Sequence, residues 1–211
     1  MRAKSETRRQ AILAAAAEVF QETGFERTSM AAICERLGYS KATLYNYFSS
    51  KEELFSAVVF DATEEEFLAT QAALDPTMPD LTHALELFGQ RFLALIYSPQ
   101  VQAVRRLMVS EGGRSDLGKT CYERGPVRSE AHTAAFLQHA MDTGLLRPAD
   151  AKVAAIHLRG LLEAEWVDRF LFQVLDEPSP ETIEATVQRA VAVFMAAYKP
   201  SEGFAAPAAK G

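Results

Sequence analysis

Apolar residues recur at helical spacing along nearly the whole chain, and no stretch shows the period-two alternation of a half-buried strand. The first predicted helix runs from about Glu6 to Glu22, with Ile12, Leu13, Ala16, Val19 and Phe20 on one face and Gly24 just past its end. A short second helix follows, capped by Thr28 or Ser29, with Met30, Ile33, Cys34 and Leu37 turned inward and Gly38 closing it. Ser40 caps a third helix, roughly Lys41 to Tyr47. Ser49-Ser50-Lys51-Glu52 has the capping-box form, serine at the cap and glutamate three residues on. A fourth helix is expected from there to about Ala73, ~35 Å long at the usual rise per residue.

Asp75-Pro76 and Met78-Pro79 interrupt the pattern. Beyond them the spacing predicts helices at about 80–97 (Phe88, Phe92, Leu95, Ile96) and 100–111 (Val101, Val104, Leu107, Met108). A loop is expected at Gly112-Gly113, then a helical turn over 115–123 ahead of Gly125-Pro126. Three more helices are expected at about 127–143, 149–175 and 180–198, and the stretch after Pro200 reads as a frayed tail. The 149–175 segment is apolar nearly all round, so it must be buried on several sides. Its second face is expected to meet another subunit together with the last helix, through Leu158, Leu162, Phe170, Val187, Val191 and Phe194, in a two-fold four-helix contact.

Composition narrows the class. The 211 residues are 48% apolar and 24% charged, ordinary for a soluble globular protein. No apolar stretch approaches the ~18 uncharged residues of a membrane span. The first twenty residues hold no signal-peptide core, so a cytoplasmic location is expected. Two cysteines, Cys34 and Cys121, make no disulfide framework, and Cys34 reads as a small core residue. Of the four histidines (His83, His132, His139 and His157), His132 and His139 lie seven residues apart on one face, too far to chelate one ion unaided; Cys121 and Glu130 can be imagined as further ligands, but a metal site is not expected. No nucleophile–base motif, glycine-rich phosphate loop or metalloprotease helix appears. Neither catalysis, cofactor nor metal is expected.

Net charge alters the picture through its distribution. The total is −6, but residues 1–51 carry eight Lys/Arg against five acids, which leaves −9 for the remainder. A basic module on an acidic body suits binding to DNA phosphates, while the body discourages non-specific adhesion. Three short helices with a tight turn between the second and third form a helix-turn-helix. Gly38 permits that turn; Leu44 and Phe48 face inward, and Lys41, Thr43, Tyr45 and Asn46 project outward. Thr28 and Ser29 sit at the second helix's N-terminus, where cap hydroxyls and amides can meet phosphate. Tyr47 offers a phenol to phosphate, and Lys51 is placed to meet one beside the groove. Of the two tyrosines, Tyr45 is the one expected to pack partly against its own domain.

Residues 8–55 resemble the tetracycline-repressor (TetR) family, on Gly24-Phe25, Thr28-Ser29-Met30, Ile33, the run from Gly38 through Ser40-Lys41-Ala42-Thr43-Leu44-Tyr45-Asn46-Tyr47-Phe48, and Lys51-Glu52-Glu53-Leu54-Phe55. Asn46 stands where many members have histidine, which implies a different operator. Around Leu107 to Pro126 the chain looks like the AefR-like subgroup. The resemblance implies an all-α fold: a helix-turn-helix domain over residues 1–50, a helical ligand-binding and dimerisation domain over 51–199, and a tail over 200–211. DNA contact is expected from Thr28, Ser29, Ser40, Lys41, Ala42, Thr43, Tyr45, Asn46, Tyr47 and Lys51. The expected partners are double-stranded operator DNA, a second copy of the chain and a small apolar inducer.

Candidate inducer contacts are Phe88, Phe92, Ile96, Met108, Phe136, Met141 and Trp166, with Arg105, His157 and Glu163 as polar anchors. For each, core packing or a structural ion pair is the plainer reading. The expected function is a repressor released from a pseudo-palindromic operator by a ligand. The alternatives are an activator, or a ligand-sensing or interaction module whose helix-turn-helix regulates nothing.

Overall fold

The computed structural model describes residues 2–111 and 116–200, so the loop expected at Gly112-Gly113 and the tail expected beyond Pro200 fall outside the described residues. Among the described residues there is no strand. The chain forms two compact units: one takes the residues up to Glu64 together with Gln100–Cys121, the other Glu65–Pro99 together with the chain from Tyr122 onward. The family resemblance implies a boundary near residue 50; the first compact unit runs on to Glu64 and takes in Gln100–Cys121.

The first unit contains α1 (Arg2–Thr23), α2 (Met30–Leu37), α3 (Lys41–Tyr45) and α4 (Lys51–Ala62), with α7 (Pro99–Glu111) and α8 (Leu117–Tyr122). Its main core gathers Ile12, Leu13, Ala16, Val19 and Phe20 of α1 around Ile33, Cys34, Leu44, Phe48 and Leu54. A second cluster joins Val59 of α4 to Val104, Leu117 and Cys121. The N-cap of α4 is Ser50, which accepts from the Glu53 amide, while Glu53 reaches back to the Ser49 amide at 2.7 Å. The capping box is therefore built on Ser50 and Glu53, one residue beyond the predicted pair, with its return bond at Ser49.

The long fourth helix is divided at Thr63, with α5 (Glu64–Ala72) following. Thr63 leaves helical geometry at φ −110 and ψ 8, and its hydroxyl donates to the Val59 carbonyl at 2.8 Å. In the second unit α6 (Leu81–Ile96), α9 (Arg128–Asp142), α10 (Ala151–Glu163) and α12 (Pro180–Tyr198) form the body, with α10 packed against both α9 and α12, and α12 against α6. A Cβ on Gly89 of α6 would lie 2.8 Å from Val187 and 2.9 Å from Leu162, so the hydrogen is needed where these helices meet.

Two features depart from the predicted pattern. Gly125-Pro126 does not interrupt the chain: Glu123–Val127 forms a π-helical turn that runs into α9, a wider turn in which a proline without N–H is tolerated. The segment 149–175 is not one helix. It breaks at Ala164–Trp166 before the short α11 (Val167–Leu171), because Trp166 turns inward and stacks edge-on against Tyr97 at 5.0 Å.

The residues expected at the subunit contact are enclosed by their own unit. Leu158, Leu162, Val187, Val191 and Phe194 are 0% exposed and Phe170 is 4% exposed, all within the core of their own unit. Side chains already enclosed this way present no surface to a second copy. The surface that α10 and α12 leave open is a different stripe, with Val153, Ile156, Gly160 and Ala164 on the first and Ala192, Val193 and Ala196 on the second.

Candidate nucleic-acid interface

The helix-turn-helix is assembled by local hydrogen bonds that the sequence specifies closely. Ser29 caps α2, accepting from the Ala32 amide at 3.2 Å. At the other end Gly38 adopts φ 67, and the amides of Gly38 and Tyr39 return to Glu35 and Cys34, each at 3.3 Å. That paired return is a Schellman ending, which needs a residue tolerant of positive φ. Ser40 then caps α3, accepting from the Thr43 amide at 3.1 Å, and its oxygen lies 2.9 Å from the Thr43 hydroxyl. Leu44 and Phe48 hold α3 to the core, so its opposite face is fixed outward.

That face carries Ser40, Lys41, Ala42, Tyr45 and Asn46, all exposed, with Thr43 half-buried. Among the described residues no protein group engages the Lys41 ammonium. The tyrosines are the reverse of the expectation: Tyr45 is 49% exposed, whereas Tyr47 packs against the core. Position along the helix decides this, because Tyr47 falls one residue before the inward Phe48, just past the last helical turn.

Two of the expected phosphate contacts engage groups of their own chain. Thr28 is only 4% exposed, and its hydroxyl donates to the Gly24 carbonyl at 2.8 Å and meets the Thr23 hydroxyl at 2.7 Å. It closes the turn between α1 and α2. Lys51 points inward as well: its ammonium donates to the Phe25 carbonyl at 2.9 Å, and more weakly to that of Glu26 at 3.5 Å. Arg36 is drawn back to α1, with Nη2 2.6 Å from Glu22 and Nη1 3.1 Å from Glu18. The hydrogen bond from Arg36 holds the Glu22 carboxyl below the usual carboxylate range. These two cations are held by acceptors of the head itself.

The predicted inducer contacts do not converge. Phe88 and Phe92 line a pocket in the second unit, together with Ser129, Glu130, Thr133, Ala155, Ile156 and Arg159. Phe136, Met141 and Trp166 are core residues, with Ile96 packed against them. Arg105 and Met108 belong to the first unit. His157 is exposed with Nδ1 2.7 Å from the Tyr198 hydroxyl. Glu163 is buried, held by Arg159 at 3.0 Å and by the Tyr97 hydroxyl at 3.4 Å. Sequence reasoning missed Ser129 and Thr133, four residues apart on the face of α9 that continues into Phe136 and Leu137; that spacing was the available signal. Among the described residues no group of three or more potential ligands could hold a metal ion, and no helix is long and apolar enough to cross a membrane.

Comparison with known proteins agrees with this geometry. The model of the bacterial regulatory proteins of the TetR family matches residues 12–58, and that of the AefR-like transcriptional repressor C-terminal domain matches residues 83–200. The chain is 28% identical over 172 residues to the helix-turn-helix transcriptional regulator UidR of Escherichia coli, covering 72% of this chain and 86% of that protein. A TetR-family regulator from Mesorhizobium loti superposes with a TM-score of 0.79 at 28% identity, covering 93% of this chain and 98% of that one. The flavonoid-responsive regulator FrrA superposes with a TM-score of 0.69 at 30% identity, covering 92% and 98%. The chain is thus a transcriptional regulator of the TetR family, with a DNA-binding helix-turn-helix and an AefR-like C-terminal domain, and not an enzyme.

Proposed function

We propose that the protein is a cytoplasmic, dimeric repressor that leaves a pseudo-palindromic operator when a small molecule binds its C-terminal domain. The observation that carries this reading is the outward face of α3, held in phase by the Gly38 turn and the Ser40 cap. In a dimer two such faces enter successive major grooves, which requires a two-fold operator. Lys41, Thr43 and Asn46 are the base-reading candidates, and the Tyr47 phenol, Ser29 and Ser40 are candidates for phosphate. Ala42 and Tyr45 lie against the groove wall.

The dimer is supported by the exposed stripe of α10 and α12 in place of the enclosed residues. Val153, Ile156 and Val193 are large apolar side chains on the surface, and Gly160, Ala164, Ala192 and Ala196 between them let helices approach closely. The match to an AefR-like repressor domain supports the negative sign of regulation, and a flavonoid-responsive relative supports control by a small organic molecule. The test is a gel shift with the chain's own upstream intergenic DNA under excess competitor, read for stoichiometry. A competitor-resistant complex of one or two dimers is expected; complexes that competitor removes from every fragment contradict the reading.

A further inference from the structure

The polar end of the pocket between α6, α9 and α10 keeps unused hydrogen-bonding capacity. Glu130 stands on its wall half-buried, and among the described residues no group bonds its carboxylate. Its neighbour Ser129 accepts from the Gln71 amide at 3.3 Å, which leaves the serine proton to be donated. Behind Ser129 the Gln71 carbonyl oxygen is buried with no partner. Arg159, also on the wall, gives its Nε to Glu163 at 3.0 Å and keeps its terminal nitrogens. The apolar end is the Phe88–Phe92 pair, with ring centres 5.6 Å apart and planes 23° from parallel.

Resting on the ligand-released reading above, we propose that this pocket takes a neutral aromatic compound bearing a hydroxyl group. The ring lies on Phe88 and Phe92, and the hydroxyl sits between Ser129 and Glu130. A hydroxyl both donates and accepts, so it satisfies the carboxylate as a donor and the serine as an acceptor. Arg159 accommodates a second oxygen. Charge excludes an anionic ligand, which meets the unbonded Glu130 carboxylate, a repulsion stronger here than in bulk water; a cation set against Glu130 has no lone pair to offer and leaves the Ser129 proton without an acceptor. A bare hydrocarbon desolvates the polar groups and leaves them unpaired.

The pocket holds about 20 Å³ of accessible space, room for a water molecule and not for an aromatic ring. Its rim must therefore yield on binding. The Arg159 side chain is 39% exposed, so it swings outward while the buried floor of Phe88, Phe92 and Thr133 stays and Ile156 is kept on the stripe assigned to the second copy.

The test is calorimetric titration of the full chain with 2-naphthol, 2-naphthoate and 2-naphthylmethylammonium. Wild-type protein is expected to bind 2-naphthol at least about tenfold tighter than 2-naphthoate, the scale of one hydrogen bond to a charged group. Glu130→Gln removes the repulsion and is expected to improve naphthoate binding by about tenfold while weakening naphthol, a reversal that loss of structure does not produce. Ser129→Ala serves as a second variant and is expected to weaken naphthol severalfold. Naphthoate bound as tightly as naphthol, the ammonium bound more tightly than naphthol, no binding, or the same order of naphthol and naphthoate in Glu130→Gln overturns the proposal. Retention of operator DNA is read on the same samples. Naphthol that binds in this pattern without releasing DNA upholds the pocket chemistry and removes ligand control. DNA release by a compound indifferent to both substitutions does the reverse.

Discussion

The Lys51 ammonium donates to the Phe25 carbonyl at 2.9 Å and lies 4.2 Å from the centre of the Phe25 ring. The ring itself packs against Phe55, with centres 4.8 Å apart, and Phe55 meets Phe20 at 5.1 Å. One side chain therefore ties the first turn of α4 to the turn that precedes the helix-turn-helix.

Removing that tie separates bracing from phosphate binding. Lys51→Met is expected to lower stability by about 1–2 kcal/mol, the scale of a charged hydrogen bond with a partly exposed cation–π contact. Each lost phosphate contact lowers the slope of log affinity against log salt by about 0.9. An inward lysine leaves the slope nearly unchanged, and anisotropy titrations across a salt series check this. A slope reduced by a full contact would place the ammonium on DNA.

The same assay distinguishes Thr28 from Lys41. Thr28→Val removes a buried hydroxyl bonded at 2.8 Å and leaves the Gly24 carbonyl without it, so denaturation shows a loss of about 1 kcal/mol with an unaltered salt slope. Lys41→Ala is expected to leave stability within about 0.5 kcal/mol of wild type, as surface substitutions usually do, and to weaken DNA binding.

Gly89→Ala forces a methyl to within 2.8 Å of Val187 and 2.9 Å of Leu162. Overpacking of this kind costs about 1–3 kcal/mol. A lower urea midpoint without loss of helical signal is the expected result, and an unchanged midpoint would mean that α6 and α12 separate freely.

The dimer surface is tested by a contrast between neighbours on the same helices. Val193→Asp and Ile156→Asp, on the open stripe, are expected to shift sedimentation from dimer to monomer with the fold retained. Leu162→Ala creates a core cavity costing about 2–5 kcal/mol and acts first on thermal stability. If Leu162→Ala dissociated a well-folded dimer and the two aspartates did not, the stripe would not be the interface.

Acid sensitivity of the head follows from Glu22. The Arg36 guanidinium holds its carboxyl below the ordinary range, so the folded-state value is depressed. The contribution is complete above the unfolded value, about 4.3, and is lost as pH falls through the folded one. The difference in urea midpoint between wild type and Glu22→Gln is therefore constant above about pH 5 and closes as the carboxylate is protonated below that.

Helix phases in this chain were legible where glycine, proline or a capping side chain fixed them. Gly38 and Ser40 set the turn and the start of α3, and from there the inward Leu44 and Phe48 dictate which side faces out. The fractures at Thr63 and at Ala164–Trp166 carry no such residue; they arise from a side-chain hydrogen bond and from the burial of one indole against Tyr97. Gly125-Pro126 misleads in the other direction, since a π turn absorbs it. Hydrophobicity could not rank the two apolar faces of α10: the bulky Leu158 and Leu162 fill the unit's own core, and Val153, Ile156 and Gly160 are left outside. Polar reach was equally hidden, because the sequence places Thr28 and Lys51 beside the interface without showing that their donors turn inward.

The central claim, that the outward face of α3 reads a two-fold operator, is tested most directly by selecting genomic fragments with the wild-type chain and with Asn46→Ala. The account predicts a pseudo-palindromic consensus for wild type, with preference relaxed at one position in each half-site for the variant, where a good base contact carries about 1–3 kcal/mol. Recovery of no consensus, or of one identical for both proteins and for Lys41→Ala and Thr43→Ala as well, would contradict it.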